Sequence, residues 1–260
     1  MIVVERRNKI KEILLDKKSV KVQDLVKLFH VSEETIRRDL SQLEEDGIVQ
    51  KNYGGAILVE EVQKPIDFIL PVQQRKNQFL QEKYAIGKEA AKLVKNNQIV
   101  ILDAGSTTWS VAKNLHNADD LTVISNALNI VEECSKNEDA IIYLLGGKLR
   151  RNSMSLVGPQ MERELQKYNA NFVFFGISGF SIKQGFMSSD LYEAEIKRAM
   201  VSAGQKIVVL ADHSKFHKVG LTSFCKIDDI DILITSDLVE QEILEEIQRR
   251  GVEVIVVPYR

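Results

Sequence analysis

The sequence predicts an α/β protein in two parts, a small helical domain followed by a larger domain built on a parallel sheet. The chain has 260 residues, which exceeds the usual size of one domain. Three helical patterns and a glycine-containing hairpin pattern fill residues 1–58. From residue 82 onward, apolar strand-like runs alternate with helical patterns, which is typical of a parallel sheet covered by helices.

Composition excludes several classes of protein. No run reaches the roughly 18 to 20 apolar residues of a membrane span, and the N-terminus carries charges where a signal peptide needs apolar residues. We therefore expect a cytoplasmic protein with no membrane partner. Cys134 and Cys225 lie far apart without CxxC spacing, so they predict neither a disulfide framework nor a zinc site.

The first domain begins with two helices. Residues 6–15 carry apolar side chains at helical spacing, and residues 23–29 supply a second short apolar face. His30 and Val31 interrupt this pattern before the next helix begins. The arrangement predicts two helices joined to a third by a tight turn.

Ser32 is a good N-cap for the third helix, and acidic side chains in the first turn complement the helix dipole. Apolar residues then recur at i, i+4 and i+7, so one face packs inward. Thr35, Arg37 and Arg38 are left to point outward. Gly47 ends the helix, and the following residues predict a hairpin with Gly54 at its tip.

These elements have the order of a winged helix-turn-helix. In that motif the second of the two helices, here the third helix of the chain, enters the major groove of DNA. The net charge of −2 is uninformative here, because a DNA-binding face depends on a local patch. The periodicity alone is equally compatible with basic residues on a solvated helix face, and it leaves open which arginine reads bases. The candidate DNA-binding residues are Ser32, Glu34, Thr35, Arg37, Arg38, Lys51 and Tyr53.

Residues 59–81 are polar and contain two helix-breaking prolines and a basic pair, Arg75 and Lys76, which indicates an interdomain linker. The larger domain would then span residues 82–260. Its strand-like runs include residues 99–102, 121–124, 172–175, 207–210, 232–234 and 254–257.

The clearest candidate site in the larger domain is the loop from Asp103 to Thr108, which follows a predicted strand and opens a predicted helix. Backbone N–H groups at such a junction can hold an anion such as phosphate. The alternative is an ordinary helix-capping loop. The loop lacks the lysine of a P-loop, so it does not predict nucleotide hydrolysis.

Further polar turns follow other predicted strands: Gly146-Gly147 with Arg150, residues 176–179, and residues 212–216. Ligands of open parallel sheets bind beyond the carboxyl ends of the strands, so these turns can converge on one ligand. His213 and His217 have a metal-like spacing, but no third ligand is identifiable and we expect no metal. We expect Trp109 to lie in the core rather than in the ligand cleft.

Residues 31–40, followed by Leu43, Gly47 and the Gly54-Gly55-Ala56 turn, resemble the DeoR-type helix-turn-helix of bacterial sugar-metabolism repressors. Tyr53 departs from the family pattern, since many members have histidine there. The resemblance implies that Asp39 orients Arg37 and Arg38 and does not itself contact DNA.

The larger domain resembles the sensor domain of DeoR-type repressors, which is Rossmann-like and similar in fold to ribose-5-phosphate isomerase and glucosamine-6-phosphate deaminase. The resemblance implies that it binds a sugar phosphate. The implied effector-binding residues are Asp103, Gly105, Ser106, Thr107, Thr108, Asn126, Gly147, Arg150, Lys197 and Lys215.

The resemblance implies a repressor of a carbohydrate-utilisation operon that a phosphorylated sugar releases or modulates. Operator DNA and the effector would be its partners, without a further cofactor, and the chain would assemble as a homodimer or homotetramer. The alternative is a phosphosugar isomerase or deaminase with an N-terminal interaction domain. The related isomerases use acidic residues after a strand and a glutamate on the following helix as the general base. Here residues 176–181 contain no carboxylate, and Lys197 stands at the position of that glutamate, so catalysis is not expected.

Overall fold

The computed structural model describes residues 3–17, 19–45, 48–52, 54–58, 71–116 and 118–259. Its small domain contains the three expected helices and the expected hairpin. The elements are α1 (Val3–Lys17), β1 (Ser19–Lys21), α2 (Val22–Phe29), α3 (Glu33–Glu45), β2 (Val49–Asn52) and β3 (Gly55–Leu58). Gly47 and Tyr53 lie outside the described residues. The short strand β1 was not predicted, and it joins the hairpin in an antiparallel sheet of order β1-β3-β2.

One apolar cluster holds the small domain together. Leu28, one of the apolar residues predicted to face inward on α2, is exposed, but the inward positions predicted on α3 are buried, as are Ile10 and Leu14 of α1 and Leu25 and Phe29 of α2. This confirms the amphipathic pattern. The principal members are Ile10, Leu14, Leu25, Phe29, Ile36, Leu40 and Leu43.

Part of the segment predicted as linker is helical. Beyond residues 59–70, which lie outside the described part, α4 spans Val72–Asn77 and α5 spans Leu80–Ala91. Pro71 stands just before the first helical residue, where its fixed φ favours a helix start. Val72 is buried and donates a backbone hydrogen bond to the carbonyl of Asn152. The larger domain therefore begins before residue 82.

The larger domain continues with an alternation of strands and helices, as the sequence predicts. The elements that follow are β4 (Ile99–Leu102), α6 (Ser106–Ala112), β5 (Thr122–Ser125), α7 (Leu128–Cys134), β6 (Ile141–Leu144), β7 (Lys148–Arg150), β8 (Ser155–Val157), α8 (Pro159–Leu165), β9 (Ala170–Gly176), β10 (Gly179–Ser181), β11 (Gly185–Ser188), α9 (Leu191–Ser202), β12 (Gly204–Leu210), β13 (Thr222–Cys225), β14 (Ile232–Ser236), α10 (Gln241–Arg249) and β15 (Glu253–Val257).

Seven of these strands form one parallel sheet of order β15-β14-β12-β9-β4-β5-β6. Two apolar clusters pack on its opposite faces, and successive residues of β9 alternate between them, with Phe174 in one and Phe175 in the other. Such burial on both faces is typical of a parallel sheet covered by helices. Two small antiparallel sheets, β7-β8 and β10-β11-β13, complete the domain.

The connections of this sheet place the loops of interest on one edge. The chain runs outward from β4 to β5 and β6 on one side and continues from β9 to β12 and beyond on the other. The neighbours β4 and β9 thus form a topological switch point, where ligands of open α/β sheets bind. Asp103, Asn126, Ser178 and Asp212 follow the carboxyl ends of four of these strands.

No helix in the described part of the chain is long and apolar enough to cross a membrane. Both cysteines are buried, and burial raises the pKa of Cys134 to about 12 and raises the pKa of Cys225 as well. Their thiols are therefore expected to stay protonated and unreactive.

Candidate functional site

The exposed face of α3 carries the predicted DNA-reading residues. Ser32 caps the helix as expected, because the backbone N–H of Thr35 donates to its hydroxyl oxygen at 3.2 Å. The hydroxyl groups of Ser32 and Thr35 also lie 2.8 Å apart. Glu34 and Arg38 are exposed. The beginning of α3 is therefore capped by a side chain and polar on its outer face.

Arg37 is held one turn above Glu33 on the same exposed face. Its guanidinium donates to the Glu33 carboxylate at 2.6 Å, and both side chains are more than half exposed. Exposed i,i+4 pairs stabilise a helix by only about 0.3 to 0.5 kcal/mol. A DNA phosphate or guanine edge can therefore replace Glu33 as the partner of Arg37 at little cost.

The β2-β3 hairpin, which is the wing of the winged helix-turn-helix, is fixed to the end of α3 through Lys51. Its backbone N–H donates to Glu44 at 3.0 Å, and its ammonium lies 2.9 Å from the same carboxylate and 3.1 Å from the hydroxyl of Ser41. Hydrogen bonds from Lys51 lower the pKa of Glu44. Lys51 thus anchors β2 beside α3, whereas Tyr53 of the predicted site lies outside the described residues.

Asp39 does not orient the arginines of α3, which corrects the sequence-based expectation. Its buried carboxylate accepts from Arg6 at 2.6 Å and from Arg7 at 2.9 Å, both on α1. It lies on the inner face of α3, turned away from the exposed side of Arg37 and Arg38. Asp39 therefore fixes α1 against α3.

In the larger domain, a cavity opens at the switch point between β4 and β9. It brings together most of the predicted effector residues and adds two that sequence reasoning missed, Arg75 of α4 and Glu193 of α9. The polar residues around it are Arg75, Asp103, Ser106, Thr107, Asn126, Ser178, Glu193, Lys197 and Lys215, with Gly105 in the loop. Its volume is about 40 Å³, which is room for little more than water.

A buried ion pair closes the centre of this cavity. The ammonium of Lys197 lies 2.5 Å from Asp103 Oδ2 and also donates to the carbonyl oxygen of Gly176. The same Asp103 oxygen accepts from the backbone N–H of Gly176 at 3.2 Å. Asp103 thus brings a carboxylate to the carboxylate-free loop after β9, but Lys197 neutralises it.

The polar groups of the loop before α6 hydrogen-bond to one another more than the sequence suggests. The N–H of Gly105 donates to Asp103 Oδ1 at 2.9 Å, and the hydroxyl of Thr108 donates to the same oxygen at 2.7 Å. Thr108 is fully buried and does not line the cavity, because its side chain points into the loop and binds Asp103. Ser106 and Thr107 are the members of this loop that remain available at the cavity wall.

Asn126 presents an unused acceptor at the cavity. Its Nδ2 donates to the carbonyl of Leu156 at 2.9 Å, whereas its buried Oδ1 makes no hydrogen bond within the described part of the chain. A buried polar atom without a partner costs about 1 to 3 kcal/mol. A ligand hydroxyl in the cavity would supply the missing donor.

Gly147 and Arg150 are not brought to the cavity. Both line a separate groove beside β6, because the β7-β8 hairpin carries them away from the switch point. Arg150 pairs with Asp190 at 3.0 Å and with Glu193 at 2.5 Å. Burial alone would raise the pKa of Glu193, but Arg150 holds it below its usual value. Arg150 therefore fixes a wall residue of the cavity from behind.

A second charged network adjoins the cavity. Glu82 accepts from the backbone N–H of His213 at 2.8 Å and from the hydroxyl of Ser236 at 2.6 Å, and its other oxygen lies 2.9 Å from His213 Nδ1. The ammonium groups of Lys83 and Lys215 each lie 3.8 Å from Asp212 Oδ2. Glu82, Asp212 and His213 lie close enough to share a metal ion, but these two ammonium groups already balance the carboxylates, so we expect none.

Comparison with protein families identifies both domains. A model described as the DeoR-like helix-turn-helix domain matches residues 6–62, and one described as the DeoR C terminal sensor domain matches residues 78–237. The chain belongs to the DeoR family. The resemblance found in the sequence is therefore confirmed for both parts of the chain.

Curated relatives of this DeoR-family chain match over nearly its whole length. It is 36% identical to the HTH-type transcriptional regulator GolR of Listeria innocua over 98% of each chain. It is 34% identical to the HTH-type transcriptional repressor GlcR of Bacillus subtilis, over 97% of this chain and 95% of the relative. It is 32% identical to a putative aga operon transcriptional repressor of Escherichia coli O157:H7, over 97% and 93%. These relatives are named as regulators of transcription and not as enzymes.

Among solved structures, the DeoR-family chain is similar to ribose 5-phosphate isomerase from Plasmodium falciparum. The two share 14% sequence identity over 52% of each chain, with a TM-score of 0.38.

Lys83 of α5 gives the sensor domain a specific pH dependence. Its side chain is buried and donates to the carbonyls of Arg75 and Gln78, and burial lowers its pKa to about 8. Between pH 8 and 10 the unfolded chain then holds a proton that the folded chain releases, so stability rises with pH over this window. We expect the free energy of unfolding of the wild type to rise by about 2 kcal/mol relative to Lys83→Met between these pH values.

Urea unfolding of both proteins at a series of pH values measures this difference. The quantity to compare is how the difference in free energy of unfolding between the two proteins changes with pH, because Lys83→Met also removes two hydrogen bonds. Curves that stay parallel from pH 8 to 10 would show that Lys83 has an ordinary pKa.

Proposed function

We propose that this chain represses a carbohydrate-utilisation operon by occupying operator DNA, and that a phosphorylated sugar bound in the switch-point cavity modulates that occupancy. The observation that carries the effector assignment is the set of three basic side chains, Arg75, Lys197 and Lys215, around one small polar cavity. Regulators and repressors of transcription at 32 to 36% identity support the DNA-binding half of the proposal.

The cavity wall offers both kinds of partner that a sugar phosphate needs. Arginine and lysine side chains bind phosphate by charge-assisted hydrogen bonds, and the hydroxyls of Ser106 and Thr107 add neutral ones. The unused Oδ1 of Asn126 would accept from a sugar hydroxyl. An unphosphorylated sugar would make none of the charge-assisted hydrogen bonds of a phosphate, so we expect it to bind far more weakly.

The cavity has to open before it can hold this ligand. Small-molecule sites generally measure about 300 to 1,000 Å³, several times the 40 Å³ seen here. The Lys197–Asp103 pair fills the centre, so a phosphate would compete with Asp103 for the lysine. A ligand that binds only the open form shifts the population towards it.

Helix α9 supplies a path from the cavity to the DNA-binding domain. Lys197 and Glu193 stand on α9, and its first residue, Leu191, packs with Leu221 against the apolar cluster that contains the inner face of α3. Opening the cavity would displace α9, and the small domain would then lose or change this contact. We propose that this displacement changes the spacing of the two reading heads on a symmetric operator.

The proposal includes a homodimer or homotetramer, because helix-turn-helix proteins read two half-sites with two copies. A regulator that occupies operator DNA acts where that DNA is, so the proposal also places the chain in the cytoplasm.

Effector binding is tested by thermal unfolding of the full chain with a panel of aldose and ketose phosphates and their unphosphorylated sugars. We expect one phosphate, and not its parent sugar, to raise the melting temperature in a concentration-dependent way. In Lys215→Met the affinity for this ligand should fall by at least about tenfold, since a charge-assisted hydrogen bond is lost. Lys218→Met, in the same loop but outside the cavity wall, is the matched control and should bind as the wild type does.

Two outcomes would contradict the effector assignment. One is the absence of a shift with every phosphate tested, and the other is an equal loss of affinity in both lysine variants. Incubating the same panel with the protein and following aldose–ketose conversion tests the enzymatic alternative, and we expect no turnover.

A further inference from the structure

An apolar surface surrounds the free edge of the main sheet, on the side opposite to β15. Strand β6 is the last strand on this side, and among the described residues it pairs only with β5. Large apolar side chains on and beside it are about half exposed. These residues, called the β6 surface below, are Ile141, Tyr143, Leu144, Leu149 and Tyr192.

The β6 edge lacks the side chains that normally protect an exposed edge strand. Natural edge strands carry charged residues, prolines or bulges that prevent pairing with another chain. The four residues of β6 are Ile-Ile-Tyr-Leu, with neither a charge nor a proline, and its register with β5 is regular. The opposite edge, β15, contains Glu253. The β6 edge is therefore the less protected of the two edges.

The β6 surface continues into a groove of about 920 Å³ that runs to the beginning of α8. Tyr143 and Tyr168 form one wall with ring centroids 6.0 Å apart, and Pro159 and Met161 lie along it. Exposed apolar patches of this kind in folded proteins mark interaction sites.

Charges at the two ends of β6 indicate which partner fits. Glu138 and Asp139 precede the strand, Lys148 follows it, and all three are exposed. Around a two-fold axis, a second β6 runs antiparallel to the first, so the acidic end of each copy lies beside the basic end of the other. The surface is thus complementary to itself, as a symmetric dimer interface requires.

We propose that the β6 surface is the interface between two copies of this chain, formed by antiparallel pairing of their β6 strands. The inference deepens the proposed function, since it names the surface that would place two reading heads on one operator. The groove also holds Arg150, which fixes Glu193 at the effector cavity, so the interface and the cavity share a wall.

Sedimentation equilibrium of the full chain tests the proposal, with variants of both sheet edges. The wild type should assemble with at least twice the mass of the 29.5 kDa chain. Tyr143→Lys should halve the mass of the assembly and raise the dissociation constant by at least about thirtyfold, the effect of losing a central aromatic contact. Val256→Lys, at a similarly exposed position of β15, is the matched control and should leave the mass unchanged.

Charge reversal tests the symmetry of the interface. Lys148→Glu should weaken assembly, and adding Glu138→Lys and Asp139→Lys to the same chain should restore it. Circular dichroism confirms that each variant is folded. Variants at β6 that assemble as well as the β15 control would overturn this inference alone, whereas a monomeric wild type would also contradict the homodimer in the proposed function. A thermal shift with a sugar phosphate tests the effector part of that function separately.

Discussion

The Asp39→Ala variant is expected to lose about 3 to 5 kcal/mol of stability in its DNA-binding domain, which is the effect of breaking a buried ion pair from one side. Asp39 is almost fully buried and accepts from both Arg6 and Arg7. Without it, the buried guanidinium of Arg6 has lost its counter-charge. Since single domains are stable by only about 5 to 15 kcal/mol, the domain would be close to unfolding.

Denaturant unfolding monitored by circular dichroism measures this loss. The matched control is Glu33→Ala on the same helix, because the Glu33–Arg37 pair is exposed and should change stability by less than about 1 kcal/mol. Operator binding by Asp39→Ala should fall together with stability. A variant as stable as the control would mean that α1 is not held to α3 by Asp39.

The second large effect is expected from replacing both Arg37 and Arg38 with alanine. A bidentate arginine on guanine contributes about 1 to 3 kcal/mol of discrimination, and a phosphate contact contributes affinity that depends on salt. We expect operator affinity to fall by about two to three orders of magnitude for the pair. Both side chains are exposed in the free protein, so stability should change by less than about 0.5 kcal/mol.

The single variants assign a role to each arginine. Loss of a base contact reduces the preference for operator over random DNA and leaves the salt dependence unchanged. Loss of a phosphate contact weakens binding to both DNAs and lowers the slope of log affinity against log salt by about one. Unchanged operator binding by the double variant would contradict the assignment of α3 as the reading helix.

The elements that could be predicted are those whose pattern is local. Helical spacing located α2 and α3, and strand-like runs located the main strands of the large sheet. Strand β1 has three residues, too few to show alternation, and it is stabilised by pairing with β3 about 36 positions away. Pro71 indicated a linker but stands just before α4, since a proline restricts the residue before it and is compatible with a helix that follows it.

The site could be predicted only in part, for a related reason. The sequence located the loops at the carboxyl ends of the strands, and topology brings them together. It could not show that Thr108 turns inward, that Arg150 belongs to a neighbouring groove, or that Arg75 reaches the cavity from the segment that resembled a linker. Each of these depends on the direction of one side chain in the folded structure, for which the sequence pattern contains no signal.

We propose that one chain both occupies operator DNA and senses a phosphorylated sugar. The most direct test is fluorescence anisotropy of the protein on labelled DNA from upstream of its own and neighbouring genes, with the sugar phosphate panel titrated at fixed salt. We expect tight binding to one fragment, and we expect a single sugar phosphate, but not its unphosphorylated parent sugar, to change that binding. Folded protein that binds none of these fragments, or operator binding that no phosphate changes, would contradict it.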